Sequence, residues 1–477
     1  MSTPSDTLRW FADTMMKGPD ATMSTKASRR WSYGGSVAAF AVVVALIIVV
    51  ALILDNRNPY HLADAEPPAP ATPVLEPAVS GGDAPDVDDE LREVASDPDL
   101  GTLSGHVTDI ATGEEVWSTR AVRMLVPDSA TKLATAAAAL STLPADQRVS
   151  TRVLPGETEG QIVVKGEGDI TLERTAGSGT FTNPAALDEL AAQVPDALDD
   201  AGITEVTEVI VDNSVREGDL FNSGWSRDDI GAGNVAPLSS VMLDAGRLDP
   251  SDAYSPRSSA PAQDVATGLA EALGFPDATV TVSDKKVSTA SDADDLGEVQ
   301  SATLTTRVRD MLLNSDNLLA EAIGREIAEA AGEPTTFDGA TTATLEALDE
   351  TGLDVSEVVL GDNSGMSRKN RLSARILDGI IASAASDTEL RGILDGLPVA
   401  NGSGTLVDRY DSASGATNGA GWVRAKTGTL DGVNSLAGTV TTETGRTLSF
   451  AFLSHGSDMD AGRAALDRLA AALRTVE

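Results

Sequence analysis

The sequence predicts an α+β fold, an antiparallel sheet flanked by helices. Strand-like alternation of polar and apolar side chains occurs near both ends of one long region, at residues 103–108, 115–118, 434–440 and 447–453. A helical stretch around Ser315 and an amphipathic stretch from about residue 460 to 474 supply helices that can pack on these strands. We therefore expect the two ends of the region to meet in one sheet.

A separate set of elements lies between the two halves of that fold. Residues 161–165 and 208–212 are strand-like, and residues 187–198 have a helical pattern. This stretch is long enough to form a core of its own. We therefore expect residues 98–150 and 301–477 to form one domain, with residues 151–300 inserted in it.

The N-terminal part predicts a membrane anchor. Residues 37–54 are an uninterrupted run of eighteen apolar residues, which as a helix spans about 27 Å, close to the thickness of a bilayer core. Basic residues precede the run and acidic residues follow it, so residues 1–36 are predicted to be a cytoplasmic tail and the remainder to lie outside the membrane. A cleaved signal peptide is the alternative, although the apolar run is longer than such peptides usually have.

The segment after the apolar run predicts a tether. Seven prolines and almost no large apolar side chains occur within residues 55–90, and such a composition cannot form a core. We expect a disordered, acidic, proline-rich tether over residues 55–97.

The composition excludes several classes of function. A formal net charge of −38 disfavours nucleic acid as a partner, because its phosphates would be repelled. There is no cysteine, which excludes disulfides and thiolate metal sites, and no metal or cofactor is expected. Only His61, His106 and His455 are available for a Ser-His-Asp triad, and no Gly-x-Ser-x-Gly elbow occurs. A serine hydrolase built from this chain would use a lysine base.

Ser129 is the candidate nucleophile. Lys132 follows it at i+3, ahead of a strong helix-forming run at residues 133–140, so both side chains would share one face of a helix. A lysine whose pKa is lowered by burial can take the serine proton. A second Ser-x-x-Lys match begins at Ser283, but the alternating pattern there predicts a strand and a charged turn.

Two later motifs complete the candidate site. In Ser315-Asp316-Asn317, Ser315 would relay a proton to the leaving nitrogen, and Asn317 would hold a substrate amide and the lysine base. Capping of the following helix is the alternative interpretation, and it is compatible with catalysis.

The third motif is Lys426-Thr427-Gly428-Thr429. The lysine and the two threonines would bind a terminal carboxylate, and the glycine would let a peptide lie close to the strand. The backbone N–H of Thr429 and that of the nucleophile would form an oxyanion hole. The alternative is a sheet edge with a solvated lysine.

The three motifs in this order resemble those of the D-alanyl-D-alanine carboxypeptidase/endopeptidases of peptidase family S13, the low-molecular-mass class C penicillin-binding proteins. The resemblance covers about residues 100 to 477. It includes further segments at residues 166–169, 212–214, 224–225, 236–241, 362–368, 398–400 and 404–406, and Arg409. Two departures from the family are Asp128, where an alanine is common, and an insertion that is short for the family.

The resemblance implies a penicilloyl-transferase fold, similar to that of β-lactamases, with the insertion between the first two motifs. It implies a serine-type D-Ala-D-Ala carboxypeptidase/endopeptidase that lies outside the cell membrane and trims or cleaves peptidoglycan stem peptides through an acyl-enzyme on Ser129. Such an enzyme binds penicillin and is inhibited by β-lactam antibiotics. The expected catalytic residues are Ser129, Lys132, Ser315, Asn317 and Lys426, and the expected substrate-binding residues are Thr427, Gly428 and Thr429.

Two other functions stay open at this point. A β-lactamase would share the three motifs but would need an efficient base to activate the deacylating water. A catalytically silent, wall-binding scaffold is disfavoured because all five polar catalytic positions are intact.

Overall fold

The computed structural model describes residue 84, residues 87–290 and residues 295–476. They belong to one compact unit, Ala78–Glu477. The predicted cytoplasmic tail, the predicted anchor at residues 37–54 and most of the predicted tether lie outside the described residues. Among the residues that are described, no helix is both long enough and apolar enough to cross a membrane.

The strands and helices are numbered here in chain order. The strands are β1 (Thr102–Asp109), β2 (Glu115–Thr119), β3 (Ser150–Pro155), β4 (Gln161–Gly166), β5 (Glu208–Asp212), β6 (Thr279–Ser283), β7 (Gly297–Gln300), β8 (Val423–Leu430), β9 (Val433–Thr441) and β10 (Thr447–His455). The helices are α1 (Asp88–Val94), α2 (Thr131–Thr142), α3 (Leu187–Ala191), α4 (Val194–Asp200), α5 (Asp228–Gly231), α6 (Pro261–Ala272), α7 (Leu304–Asn314), α8 (Asn317–Ala331), α9 (Phe337–Glu350), α10 (Ala374–Ser386), α11 (Gly392–Asp395) and α12 (Met459–Ala472).

The first sheet is antiparallel and joins the two ends of the described region. Its strand order is β2-β1-β10-β9-β8. Strand β1 pairs with β10 over its whole length, from Thr102 opposite His455 to Asp109 opposite Leu448. The predicted α+β class and the predicted meeting of distant strands are confirmed. Strand β8, which carries the third motif, lies at the edge of this sheet.

Helices cover both faces of the first sheet because its strands are apolar on both. On β10, Ala451 and Leu453 belong to the core that contains helices α2, α8, α9 and α10. The alternate residues Phe450 and Phe452 belong to the core that contains helix α12. Side chains on successive strand residues point to opposite faces, so one strand serves two cores. The helix with the first motif and the one with the second therefore pack on the same side.

The second sheet lies in the chain between the first two motifs. Its order is β6-β5-β4-β3-β7. Strands β3 and β4 are antiparallel, whereas β4, β5 and β6 are parallel. Helices α3, α4 and α6 cover it with an aliphatic core. Except for Ser150, the first residue of β3, these elements fall within the residues predicted to be an inserted domain. The boundaries of that domain at residues 151 and 300 stay a prediction.

One part of the predicted tether is wrong. Residues 55–97 were expected to be disordered, but residues 88–94 form helix α1, and Val87 and Leu91 are fully buried. Both side chains join the core under helix α12. Full burial of a leucine side chain contributes about 2 kcal/mol, which helps to hold this last part of the segment against the folded unit.

Candidate active site

Ser129 and Lys132 meet where a short turn runs into helix α2. Residues Asp128–Ala130 form a 3-10 turn, and the α-helix begins at Thr131. Lys132 lies one turn along, with its Nζ 3.1 Å from the Ser129 Oγ. The side chain of Lys132 is completely buried, whereas Ser129 is half-buried and lines an open cleft. The predicted i, i+3 pair is therefore formed with its serine open to a ligand.

Lys132 has two further hydrogen-bond partners, and both are oxygens that can only accept. Its Nζ donates to Asn317 Oδ1 at 2.7 Å and to the Ser364 carbonyl oxygen at 2.6 Å. The amide nitrogen of Asn317 in turn donates to the Asn234 carbonyl oxygen at 3.0 Å, which fixes the amide oxygen toward the lysine. A neutral amine has two N–H groups and one lone pair. With both N–H groups donated to carbonyl oxygens, the lone pair faces the Ser129 hydroxyl.

Burial lowers the pKa of Lys132 to about 8. Nearby carboxylates oppose this shift, and Asp362 has the largest opposing effect. Removing an ammonium from water disfavours its charged form. Near pH 8 a large fraction of this lysine is therefore neutral and able to accept a proton.

Ser315 and Lys426 form a second pair across the cleft. Ser315 ends helix α7 in the left-handed conformation, with φ 58°. Lys426, on β8, donates through Nζ to Ser315 Oγ at 2.8 Å and to the Thr427 carbonyl oxygen at 2.7 Å. Burial holds the pKa of Lys426 well below its usual range, and Lys132 lowers it further. Lys426 is fully buried, so it is not the solvated lysine of a sheet edge that the alternative interpretation of the motif describes.

Asp316 caps helix α8, while Ser315 and Asn317, its two neighbours in the motif, line the cleft. Its Oδ1 accepts from the Leu319 N–H at 2.9 Å, and its Oδ2 accepts from Arg247 at 2.7 Å and Arg257 at 3.3 Å. Although burial opposes it, these guanidiniums hold the pKa of Asp316 well below its usual range. Capping and the two motif side chains in the cleft therefore coexist.

Gly428 is required at its position by the turn that carries the nucleophile. A Cβ at Gly428 would collide with Ser435 Oγ and approach the Asp128 Cβ and the Pro127 carbonyl oxygen. Ser435 also donates to that same carbonyl at 2.8 Å. The missing side chain lets the Ser129 turn lie directly on β8, a reason different from the predicted one of admitting a peptide.

The substrate-binding candidates line one cleft of about 700 Å³ with the catalytic candidates. Ser129, Ser315, Asn317, Thr427, Gly428 and Thr429 all border it. The Thr427 hydroxyl lies 2.7 Å from that of Thr405, and the Thr429 hydroxyl accepts from Arg463 Nε at 3.0 Å. Because β8 is an edge strand, an extended peptide can lie along it in this cleft.

The carboxyl group of Asp128 is buried next to the nucleophile. The residue is 1 % exposed, and neither carboxyl oxygen has a hydrogen-bond partner among the described residues. Burial raises the pKa of Asp128 well above its usual range, with Lys426 and Lys132 opposing the shift. The departure from the family at this position therefore puts beside the nucleophile a carboxyl group whose charged form is disfavoured by burial.

The residues that compete for a catalytic role lie elsewhere. Ser283 ends strand β6 in the second sheet, and its hydroxyl donates to the Lys285 carbonyl oxygen at 2.7 Å. His106 is held between Asp378 and Glu115, at 2.6 and 2.9 Å. His455 Nε2 contacts the Val126 carbonyl oxygen at 2.9 Å. In the part of the chain that the structure describes, no cluster of three or more carboxylates and histidines could hold a metal ion.

Sequence reasoning missed several residues of the site. Ser364 contributes a backbone carbonyl, for which no side-chain motif exists, although its segment is one of those that resemble the family. Glu321 is buried behind it and accepts from the Ser364 N–H at 2.8 Å. Burial raises the pKa of Glu321 to about 8. Thr405 also lies in a segment that resembles the family, residues 404–406, whereas Arg463 reaches the cleft only through tertiary packing.

The chain is similar to known proteins over nearly its whole described length. The sequence profile of the D-Ala-D-Ala carboxypeptidase 3 (S13) family matches residues 87–253 and 251–476. The chain is 41% identical over 452 residues to carboxypeptidase DacB of Mycolicibacterium smegmatis, which covers 92% of this chain and 96% of the relative. It is 40% identical over 462 residues to carboxypeptidase Rv3627c of Mycobacterium tuberculosis, covering 93% of this chain and 98% of that one.

A solved structure shares the fold. Penicillin-binding protein 4 (dacB) of Haemophilus influenzae superposes with a TM-score of 0.64 at 19% sequence identity, over 80% of this chain and 97% of the other. A second crystal structure of that protein holds a β-lactam. The predicted penicilloyl-transferase fold is confirmed.

Proposed function

Because the chain belongs to the D-Ala-D-Ala carboxypeptidase 3 (S13) family, we propose that it removes the terminal D-alanine of peptidoglycan stem peptides through an acyl-enzyme on Ser129. The observation that supports this most is the environment of Lys132, whose two carbonyl partners leave its lone pair for the Ser129 hydroxyl. An unactivated serine is a poor nucleophile, and an adjacent base corrects that.

In the acylation step, neutral Lys132 takes the proton of Ser129 as the Oγ attacks the carbonyl carbon of the penultimate D-alanine. The negative charge that develops on the carbonyl oxygen is stabilised by the backbone N–H groups of Ser129 and Thr429. Asn317 holds the lysine and lies where it can also bind the substrate amide.

In the collapse of that intermediate, the C–N bond breaks and the leaving nitrogen needs a proton. Ser315 lines the cleft, and Lys426 holds its hydroxyl by a hydrogen bond. The Ser315 hydroxyl can pass to the leaving amine the proton that Lys132 took from Ser129, which returns Lys132 to its neutral form. Water then attacks the ester on Ser129: Lys132 takes a proton from the water, the acyl C–O bond breaks, and the proton returns to the Ser129 Oγ.

Penicillin would follow the first half of this path and then stall. Its strained amide presents a carbonyl to Ser129, but its amine stays tethered to the acyl group. A β-lactamase would share the acylation and differ in a short-lived acyl-enzyme. The carboxypeptidase is favoured because relatives about 40% identical over nearly the whole chain are carboxypeptidases.

The substrate places the catalytic unit outside the cytoplasm. Stem peptides belong to the cell wall, so residues 84–476 act on the outer side of the membrane. The anchor at residues 37–54 would hold them there as a single-pass protein with a cytoplasmic N-terminus; this part of the proposal rests on the apolar run and its charge bias.

Fluorescent penicillin tests the proposal. Ser129→Ala should abolish labelling, whereas Ser283→Ala, which removes the serine of the competing motif, should leave it intact. The wild-type adduct should persist for many turnover times of a peptide substrate. Labelling that survives Ser129→Ala would refute the mechanism, and an adduct lost within seconds would favour the β-lactamase.

A further inference from the structure

A substrate that ends in a free carboxylate brings a negative charge into the cleft. Lys426 has its Nζ hydrogen-bonded to Ser315 Oγ and the Thr427 carbonyl oxygen and is fully buried. Burial lowers its pKa, so it is poorly suited to provide a fixed positive charge. Threonine hydroxyls supply hydrogen bonds but no charge. The need for a group that balances this carboxylate rests on the proposed function.

Arg463, on the first turns of helix α12, lies beside the third motif. Its Nε donates to Thr429 Oγ1 at 3.0 Å, and the side chain lines the same cleft as Ser129. The local packing explains this position. Thr429 pairs with Asn434 across β8 and β9, and Gly462 packs directly on the Asn434 side chain. Residue 463 therefore falls next to Thr429.

The rest of this guanidinium is available for an anion. Among the described residues, the carboxylate that forms an ion pair with Arg463 is that of Asp460. The Arg463 Nη1 lies 3.6 Å from the Asp460 Oδ1, and the Asp460 side chain is 90% exposed. An exposed pair at this distance is weak and screened by salt. Arginine is always charged and binds a carboxylate with two parallel hydrogen bonds.

Two other arginines border the cleft and are less suited to this role. Arg409 is already paired twice with Asp467, at 2.9 and 2.6 Å. Arg368 is exposed, and its Nη2 donates to the Asp431 carbonyl oxygen at 3.1 Å. Neither has a recorded hydrogen bond to the threonines of the third motif.

We infer that Arg463 is the cationic receptor for the C-terminal carboxylate of the substrate, and that it binds this group together with the Thr427 and Thr429 hydroxyls. The enzyme then distinguishes a free acid from an uncharged C-terminus mainly through helix α12, an element that none of the three motifs includes.

The test compares two peptides that end in D-Ala-D-Ala, one a free acid and the other a C-terminal amide, with the full-length chain. The wild type should prefer the acid by about ten- to a hundredfold in kcat/KM, which corresponds to about 1.4–2.8 kcal/mol. Arg463→Gln should lose most of that preference by losing turnover of the acid, while turnover of the amide stays within about threefold.

Three further variants sharpen the result. Arg468→Ala, on the same helix, removes an arginine paired with Asp97 outside the cleft and should keep the full preference. Arg463→Lys should restore part of it. Thr429→Val combined with Arg463→Gln should cost less than the sum of the two single changes, because both act on one carboxylate.

Retention of the full acid preference by Arg463→Gln would overturn the inference, as would loss of it in Arg368→Ala instead. Turnover of the amide reports that each variant is folded and active. If the wild type hydrolyses neither peptide, the proposed function fails rather than the assignment of Arg463.

Discussion

The side chain of Lys132 shows how a common residue becomes a base through its partners. Its spacing from Ser129 follows from the sequence, but the two carbonyl oxygens that consume its N–H groups come from residues 317 and 364. An ammonium with three donors would point one at the nucleophile, whereas the neutral amine presents a lone pair there. Protonation of this one group thus decides whether Ser129 is activated.

The rate of Ser129 acylation should therefore follow the neutral fraction of Lys132. Since the pKa of Lys132 is lowered to about 8, acylation by penicillin should rise about tenfold per pH unit below pH 8 and level off above it. Stopped-flow measurement of the acylation rate from pH 6 to pH 10 checks this. A rate still rising steeply at pH 10 would mean that the lysine keeps the pKa of a solvated one.

Asp128→Asn provides the control for that profile. Burial raises the pKa of Asp128, and if the carboxyl is neutral at the pH of the measurement, the amide replaces it without changing the charge. Asparagine also tolerates the positive φ of 50° at this position. The acylation midpoint should then stay near that of the wild type. A midpoint lower by a full unit would show that Asp128 is ionised and raises the pKa of Lys132.

At the scale of elements, the junction of helices α7 and α8 places the side chains of Ser315 and Asn317 in the cleft, and Asp316 between them holds the junction in place. Asp316 caps α8 and balances Arg247 and Arg257. All three side chains are buried, so removal of the carboxylate charge leaves two guanidiniums in the interior without a counter-ion.

Asp316→Asn should therefore destabilise the protein strongly although asparagine is a good cap. Breaking a buried ion pair costs about 3–5 kcal/mol, and we expect about 3 kcal/mol because the amide still accepts a hydrogen bond. Urea unfolding measures the change. Asp458→Asn, at the exposed cap of α12, should cost under about 0.5 kcal/mol. Equal losses in the two variants would mean that the arginines contribute nothing.

The sequence predicted a strand or helix well where a single pattern of residue types runs through the whole segment. Strand β5 is predicted at residues 208–212 and occupies Glu208–Asp212, because its three consecutive β-branched residues are bounded by charged and polar ones. The helical stretch expected around residues 187–198 contains two short helices, α3 and α4. Helix α1 was missed because its acidic sequence continues the composition of the tether, and only the burial of Val87 and Leu91 distinguishes it.

At the scale of the whole molecule, the sequence predicts which motifs meet but not how they are supported. Ser129, Ser315 and Thr427 come together in one cleft, as the chemistry of a serine nucleophile with a lysine base requires. Arg463 and the Ser364 carbonyl could not be predicted in the same way. Arg463 reaches the site because helix α12 packs on the first sheet, and that packing leaves no local signature. Ser364 lies in a loop whose segment resembles the family, but its contribution is a backbone carbonyl, for which no side-chain motif exists.

The proposed membrane anchor makes a prediction for the intact chain. Full-length protein should sediment with membranes and be released by detergent but not by high salt, because an apolar helix rather than surface charge would hold it. External protease should reach residues beyond 54. Deletion of residues 37–54 is the matched control. A mature N-terminus at Glu66 would show instead that the segment is a cleaved signal peptide.

The release of D-alanine from a stem pentapeptide ending in D-Ala-D-Ala tests the proposed chemistry most directly. The wild-type chain should release one D-alanine per peptide, and Ser129→Ala should release none, while the two proteins unfold at the same urea concentration. Undiminished release by Ser129→Ala would contradict the assignment of the nucleophile. A wild type that is acylated by penicillin yet releases no D-alanine would contradict the carboxypeptidase function.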